Sequence, residues 1–257
     1  MKLNAPKCHF LLASAPITHE HMWVKVGDTM ICESVAEKLL GVTIDKNLNL
    51  NEHLPSICKK ANQKVSALAR VAKLLPFHRK RTLLKAFIES QFSYCPLLWM
   101  FCSRKMNRKI NHIHERALRL VYEDYASTFK ELLTKDRTVS IHHKNIQYVA
   151  IEMYKVMNDL SPPIMKEIFK TAGVSSNRSG RIFSRPKVNS VYKGQNSLRN
   201  FGPIVWNMML PEKFKSCTKL SDFQKSIKAW VPQNCPCRLC KPFIQGLGFA
   251  STKSPSL

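Results

Sequence analysis

The chain has 257 residues, of which 44% are hydrophobic and 9% aromatic, so it can bury a sizeable core and differs from intrinsically disordered proteins. Its 41 Lys and Arg residues against 17 Asp and Glu give a formal net charge of +24. Such a charge favours polyanionic partners, nucleic acid first and an anionic membrane surface second, although it also causes non-specific adhesion. No apolar run approaches the roughly 20 residues that cross a bilayer, so no membrane span is predicted.

The first 50 residues predict a small antiparallel β unit. Short β-prone runs occupy residues 10–12, 23–26 and 29–31, and another lies at 38–45. Gly27 and Asp28 predict a hairpin between two of these runs, because glycine adopts the positive φ of a tight turn without steric cost. So few strands do not make a stable sheet alone, and we expect them to be the edge of a larger unit.

Residues 51–126 predict a helical domain with basic outer faces. Apolar residues recur at spacings of three and four between 52 and 75, and further helices are predicted from 78 towards 95 and from 104 to 121. Nine Lys or Arg residues and no acid lie between Glu52 and Glu89, whereas a solvated helix face usually mixes charges. We therefore predict phosphate contacts from Lys59, Lys60, Lys64, Arg79, Lys80 and Arg81.

The rest of the chain predicts further helices around a basic linker. Thr128 and Glu131 have the spacing of a capping box, a longer helix is predicted at 139–157, and Ser221 is predicted to cap a last helix ending near Trp230. We divide this part into a helical connector, a mobile linker rich in Ser, Asn, Arg and Gly, and a C-terminal region, at residues 127–170, 171–200 and 201–257. The predicted fold class is α+β, mainly α.

No sequence pattern predicts an active site or a small-molecule substrate. Glu123 and Asp124 resemble part of the Tyr-x-Asp-Asp box of polymerases, but Tyr125 replaces the second Asp, so we interpret the segment as a solvated helix end. Phosphate-binding glycine loops and nucleophile elbows are absent from the sequence. Closely spaced histidines point to different helix faces, so we interpret these as surface or capping residues: His112, His114, His142 and His143.

The C-terminal cysteines form the one pattern that could bind a metal. Cys235, Cys237 and Cys240 place three thiols within six residues, and structural Zn²⁺ is held by four Cys or His ligands. No Cys or His follows Cys240, so a fourth ligand must come from upstream, where Cys217 is the nearest thiol. The alternative is a set of unpaired structural cysteines without any cofactor. The nine cysteines of the chain, an odd number in mostly apolar stretches, favour reduced thiols in an intracellular compartment, with nucleus and cytoplasm both open.

The order of these segments resembles that of LINE-type (non-LTR retrotransposon) reverse transcriptases. The Leu-Asn-x-x-Lys segment ending at Lys7 resembles their motif D, which follows the catalytic Tyr-x-Asp-Asp hairpin. The run Leu40, Gly41 and Val42 is similar to the one near their primer grip, and residues 48–102 are similar to the helical thumb of jockey-like elements. Similarity to their C-terminal ending is found at residues 206–207, 210–211, 223 and 230.

The resemblance implies a function for the chain. Residues 1–50 would be a palm remnant, with Lys7 near the incoming nucleotide and residues 40–42 beside the primer terminus, and 51–126 would be the thumb. The metal-binding aspartates, the fingers and the endonuclease would belong to the part before Met1, so no enzymatic activity is expected from this chain alone. We therefore predict a truncated RNA-directed DNA polymerase that retains sequence-tolerant binding to RNA or DNA backbones.

A co-opted protein-interaction module is the alternative function. An exposed helical core and the cysteine cluster would then bind a protein partner of unknown identity. Its binding would respond to chelators and not to salt. A third hypothesis is a marginal product that aggregates, because removing a domain uncovers apolar surface and strand edges.

Overall fold

The computed structural model describes residues 4, 7–13, 22–50, 52–172, 182–190, 194–233, 235–237 and 239–240. Several positions assigned to the basic linker, including Arg178, Arg181 and Lys193, lie outside the described residues, as do Leu3 of the motif D-like segment and residues 241–257. The described part is mainly helical with small antiparallel hairpins, which confirms the predicted fold class. Among its helices, none combines the length and apolarity that crossing a membrane requires.

Two hairpins open the fold, formed by β1 (Trp23–Val26) with β2 (Thr29–Cys32) and by β3 (Ala36–Leu39) with β4 (Val42–Asp45). The predicted turn at Gly27 is confirmed, with a φ of 61°. The β-prone run at 38–45 folds back on itself, because Leu40 and Gly41 both adopt positive φ. Phe10, which was predicted to lie in a strand, makes one isolated parallel bridge with Glu33.

The first group of helices packs around one hydrophobic cluster. Its elements are α1 (His53–Val71) with a 3₁₀ turn (Ala72–Leu74), α2 (Phe77–Leu83) with a π-helical turn (Leu84–Ile88) and a 3₁₀ turn (Glu89–Phe92), α3 (Pro96–Trp99), α4 (Arg104–Tyr122) and α5 (Phe129–Asp136). The apolar stripe of α1 is buried as predicted, with Cys58, Ala61 and Val65 fully inaccessible. Thr128 and Glu131 form the predicted capping box at the start of α5.

The second group packs around its own cluster. It contains α6 (Ile141–Met157), α7 (Pro163–Ile168), β5 (Thr171–Ala172) paired with β6 (Ile182–Phe183), α8 (Leu198–Ile204) with a π-helical turn (Val205–Met209), α9 (Glu212–Lys215) and α10 (Leu220–Ala229). Tyr154 of α6 stacks on Phe223 of α10 at a ring distance of 4.3 Å. Gly202 lets α8 approach α6, because a Cβ there would lie 2.5 Å from Met153 Sδ.

One local prediction in this half is wrong. Ser221 does not cap α10, because the helix begins at Leu220 after the N-cap residue Lys219, and Ser221 lies in its first turn. Within the predicted linker, β6 reaches the core: Phe183 is 1% exposed, and its backbone N–H and carbonyl bond the Asn207 side chain at 3.1 and 2.8 Å. A single buried aromatic residue thus anchors β6, and periodicity does not detect single residues.

Candidate metal centre and basic surface

The first turn of α6 positions two histidines. The Ser140 side chain accepts a hydrogen bond from the His143 backbone N–H at 3.3 Å, and this N-cap fixes where the helix begins. His142, in the first turn, is only 5% exposed. It therefore faces the protein interior, and its interpretation as a surface or capping histidine is wrong.

The chain after α10 returns to this end of α6. Gln147, also on α6, donates a hydrogen bond from Nε2 to the Trp230 carbonyl at 2.7 Å, and both residues are buried. This bond holds the end of α10 against α6, so that the following residues run past His142. Cys235 and Cys237 are buried there, and Cys240 is half-buried.

His142 and the three C-terminal cysteines form one group that could hold a metal ion. Its four ligand atoms, the imidazole nitrogen and the Sγ of Cys235, Cys237 and Cys240, all lie within 4.8 Å of one another. The His142 Nε2 is 3.2 Å from Cys237 Sγ. Tetrahedral Zn–S bonds of about 2.3 Å separate ligand atoms by roughly 3.8 Å, so small side-chain shifts would bring all four onto one ion. We call this group the Cys₃His cluster.

The protonation chemistry of the cluster suits a cation. Hydrogen bonds from Cys235, Cys240 and His142 lower the pKa of Cys237 by stabilising its thiolate, although burial opposes this. The hydrogen bond with Cys237 raises the pKa of Cys235 to about 12, and bonds with Cys235 and Cys237 also raise that of Cys240. The three thiols are thus hydrogen-bonded to one another in a buried space, in an arrangement that favours a thiolate at Cys237. A metal ion bound by these residues would displace thiol protons and compensate the charge of the thiolates.

The fourth ligand differs from the sequence-based expectation. Cys217 lies outside the cluster, and its carbonyl accepts a hydrogen bond from the Tyr154 hydroxyl at 2.9 Å. His143 lies closer, with its Nε2 3.8 Å from Cys240 Sγ. No spacing rule connects His142 to Cys237, 95 positions away, or to the two cysteines beside it. The one signal in the sequence was that the three cysteines lack a fourth metal ligand.

A second histidine interpretation is also wrong. His114 on α4 is 1% exposed, and its Nε2 lies 3.0 Å from Glu89 Oε1. Lys144 Nζ contacts the other oxygen of Glu89 at 2.7 Å. This buried network joins the 3₁₀ turn after α2 to α4 and α6 and leaves His114 no access to a ligand.

The six predicted phosphate-binding residues divide into two sets. Lys59, Lys60 and Arg79 are exposed, and Lys64 is half-buried with its Nζ 5.8 Å from the centre of the Phe87 ring. No ion pair between described residues includes any of these four. They remain available to an anionic ligand.

Lys80 and Arg81 do not fit their predicted role. Lys80 is 4% exposed and pairs with Glu123 Oε1 at 2.5 Å. Arg81 Nε donates to the buried carboxylate of Asp136 at 2.7 Å, and its second guanidinium contact is the Asp136 carbonyl at 2.8 Å. These two cations hold α2 against the ends of α4 and α5, so the prediction that they contact phosphates is wrong.

The residues assigned to polymerase motifs lie on the N-terminal β unit. Lys7 is exposed. Leu40 and Gly41 form the β3–β4 turn, where the Tyr94 hydroxyl donates to the Leu40 carbonyl and the Tyr94 ring lies 3.6 Å from the position of a Gly41 Cβ. Val42 is buried against α1. This turn thus packs on the helical part, and its primer-grip role stays a prediction.

Comparisons with family models, with curated proteins and with solved structures found no match for this chain. The resemblance to LINE-type reverse transcriptases therefore rests on the sequence segments themselves.

Proposed function

We propose that this chain belongs to the C-terminal part of a LINE-type reverse transcriptase and binds the phosphate backbone of RNA or DNA. The observation that carries the binding proposal is the outer face of α1. Lys59, Lys60 and Lys64 project there without a carboxylate partner among the described residues, and Arg79 follows at the start of α2. Cations without a carboxylate partner can neutralise phosphates and release condensed counterions.

The distribution of acids supports the same proposal. Five carboxylates of the helical part engage cations of the protein itself: Glu89, Glu115, Glu123, Asp124 and Asp136. Four of these pairs join different elements, whereas the pair of Glu115 with Arg119 lies within α4. None of these acids belongs to α1, which has no acid within its length, His53–Val71. The exposed cations of α1 are thus not neutralised by acids of the same helix, in a chain whose formal net charge is +24.

We propose that this chain alone does not polymerise DNA. No Tyr-x-Asp-Asp box occurs in its 257 residues. The nearest carboxylate pair has other partners, since Glu123 contacts Lys80 and Asp124 contacts Lys135. Two-metal catalysis needs carboxylates that converge on Mg²⁺, and these two point to different cations.

The salt dependence of binding to a labelled single-stranded RNA tests the binding proposal. Four phosphate contacts predict that log K falls with log salt at a slope of about −3. Replacing Lys59, Lys60 and Lys64 together by Ala should reduce the magnitude of that slope by about 2. The matched control replaces Lys155, Lys166 and Lys215, which each pair with a carboxylate. A wild-type slope near zero would contradict the proposal.

We also propose that Zn²⁺ is the metal of the Cys₃His cluster. Thiolate and imidazole ligands suit Zn²⁺, and four protein ligands leave no open position, which is typical of structural sites and not of catalytic ones. The fit is supported by the buried thiols and by the separation of their ligand atoms. Metal analysis of protein purified without chelators should find about one zinc per chain, and its absence under zinc-replete expression would contradict the proposal. We propose a reducing, intracellular compartment as well, because Zn²⁺ binding by these cysteines requires reduced thiols.

A protein-interaction module is the second candidate function. It is favoured by large apolar side chains that the β unit exposes, including Trp23 at 59%, Met30 at 54% and Leu40 at 83%. Exposed apolar patches mark interaction sites. Partner binding that is insensitive to salt and lost on adding a chelator would favour this function over nucleic-acid binding.

A further inference from the structure

A cleft of about 360 Å³ lies where the two helical groups meet. It is lined by the π-helical and 3₁₀ turns after α2, by the loop between α5 and α6, and by facing residues of α6 and α10. The volume is at the lower end of the range for small-molecule pockets, which suits one nucleotide unit. The cleft is separate from the outer face of α1 that carries the proposed backbone contacts.

Three cations from three different elements converge on this cleft. Lys85 comes from the π-helical turn after α2, Arg137 from the loop after α5, and Lys228 from α10. All three side chains are exposed, and none takes part in an ion pair within the described part of the chain. Three separate elements of the fold therefore each contribute an unpaired cation to the same cleft.

The acids that line the cleft do not cancel this charge. Glu89 is held by His114 at 3.0 Å and by Lys144 at 2.7 Å. Asp136 accepts hydrogen bonds from Arg81 at 2.7 Å and from the Tyr122 hydroxyl at 2.9 Å. Both carboxylates are thus paired without Lys85, Arg137 or Lys228, which leaves the cleft net positive.

Tyr148 gives the cleft an aromatic surface. It lies on α6, one turn after Lys144, and is 39% exposed. Residues four apart share a helix face, so Tyr148 and Lys144 line the same wall. Ile151 and Ile227 supply apolar surface beside it. Cations around an exposed aromatic ring form the combination that binds single-stranded nucleic acid, in which phosphates pair and bases stack.

We propose that this cleft binds one nucleotide unit of a single-stranded nucleic acid. Its phosphate contacts Lys85, Arg137 and Lys228, and its base stacks on Tyr148. Bases in a duplex are paired and stacked on each other, so the cleft favours single strands. This inference rests on the proposed nucleic-acid binding, and it adds the class of ligand and the place where a base is held.

Strand-selective binding tests the inference. The dissociation constants of the full chain are measured for a labelled single strand and for a hairpin duplex of equal charge. Tyr148→Ala should weaken single-strand binding by about 10-fold and leave duplex binding unchanged, whereas Tyr148→Phe, which keeps the ring, should bind as wild type. The variant Lys85→Ala/Arg137→Ala/Lys228→Ala should also lose single-strand preference. This triple variant changes only exposed side chains, so it still tests the inference if the Tyr148→Ala protein does not fold.

Competition identifies the source of the nucleotide. If free uridine 5′-monophosphate displaces the strand from the wild type but not from the Lys85/Arg137/Lys228 variant, the cleft also binds free nucleotides. If only oligonucleotides displace the strand, the cleft is specific for strands. Unchanged single-strand affinity of both variants, with a wild-type salt slope of about −3, would overturn the cleft inference and leave the proposed function standing. A wild-type slope near zero would instead overturn the proposed function.

Discussion

The Nε2 atom of His142 lies 3.2 Å from the Sγ of Cys237, although 95 positions separate these residues in the sequence. The contact joins the start of α6 to the segment that follows α10. A metal ion bound there would cross-link the two ends of the second helical group. The Cys₃His cluster would then stabilise that group as a closed structural site.

Replacement of His142 by Ala should weaken Zn²⁺ binding by at least about 100-fold, since even groups that only orient a metal ligand contribute about 10- to 100-fold. Competition with a chromophoric chelator measures the change in affinity. Cys217→Ala is the matched control, because the Cys217 thiol lies outside the cluster, and it should bind zinc as the wild type does. Equal weakening by both substitutions would contradict the assignment of His142.

Removal of the metal should destabilise the second helical group. At a free zinc concentration 1,000 times the dissociation constant, binding contributes about 4 kcal/mol, which corresponds to a Tm higher by roughly 10 °C. Thermal melts of the full chain with and without a chelator measure this shift. In the His142→Ala variant the chelator should change the Tm little. A shift as large as that of the wild type would mean that the chelator acts at another site.

Sequence patterns predicted the elements that depend on neighbours in the chain. The Gly27 turn, the buried stripe of α1 and the Thr128 capping box all arise from contacts within a few residues, and all were predicted correctly. The role of His142 depends on how α10 and α6 pack, which local spacing does not encode. For the same reason, the sequence did not show that Arg79 would be exposed while Arg81 would pair with a carboxylate. Only the fold brings Asp136 to Arg81.

Arg79 and Arg81 should respond to substitution in opposite ways. Arg81→Ala leaves the buried Asp136 carboxylate without its cation and should cost about 3 kcal/mol of unfolding free energy. Arg79→Ala removes an exposed side chain and should change stability by less than about 0.5 kcal/mol while lowering RNA affinity. Urea unfolding and RNA titrations of both variants measure these effects. A stable Arg81→Ala protein with weakened RNA binding would restore the original assignment of Arg81.

The stability of the fold should depend on Glu89 at acidic pH. Burial alone would raise the pKa of Glu89, but the hydrogen bonds from His114 and Lys144 outweigh it and lower the pKa to about 2 from the usual 4.5. The Glu89 carboxylate therefore binds a proton more tightly in the unfolded chain than in the folded one. Its contribution to the free energy of unfolding, roughly 3 kcal/mol, is present above pH 4.5 and lost as the pH falls towards 2.

Urea unfolding of wild type and Glu89→Gln as a function of pH measures this contribution. The difference in unfolding free energy between the two proteins should be largest above pH 4.5 and shrink below it. Glu52→Gln, at an exposed position, is the control and should unfold as the wild type does throughout. A difference between wild type and Glu89→Gln that does not vary with pH would contradict the ion-pair network.

X-ray absorption at the zinc edge of the purified full chain tests the metal centre most directly. Coordination by Cys235, Cys237, Cys240 and His142 predicts three sulfur neighbours at about 2.3 Å and one nitrogen at about 2.0 Å. In the His142→Ala protein the nitrogen contribution should disappear or be replaced by that of a water oxygen. A wild-type shell of four sulfur atoms, or one containing only nitrogen and oxygen, would contradict the Cys₃His centre.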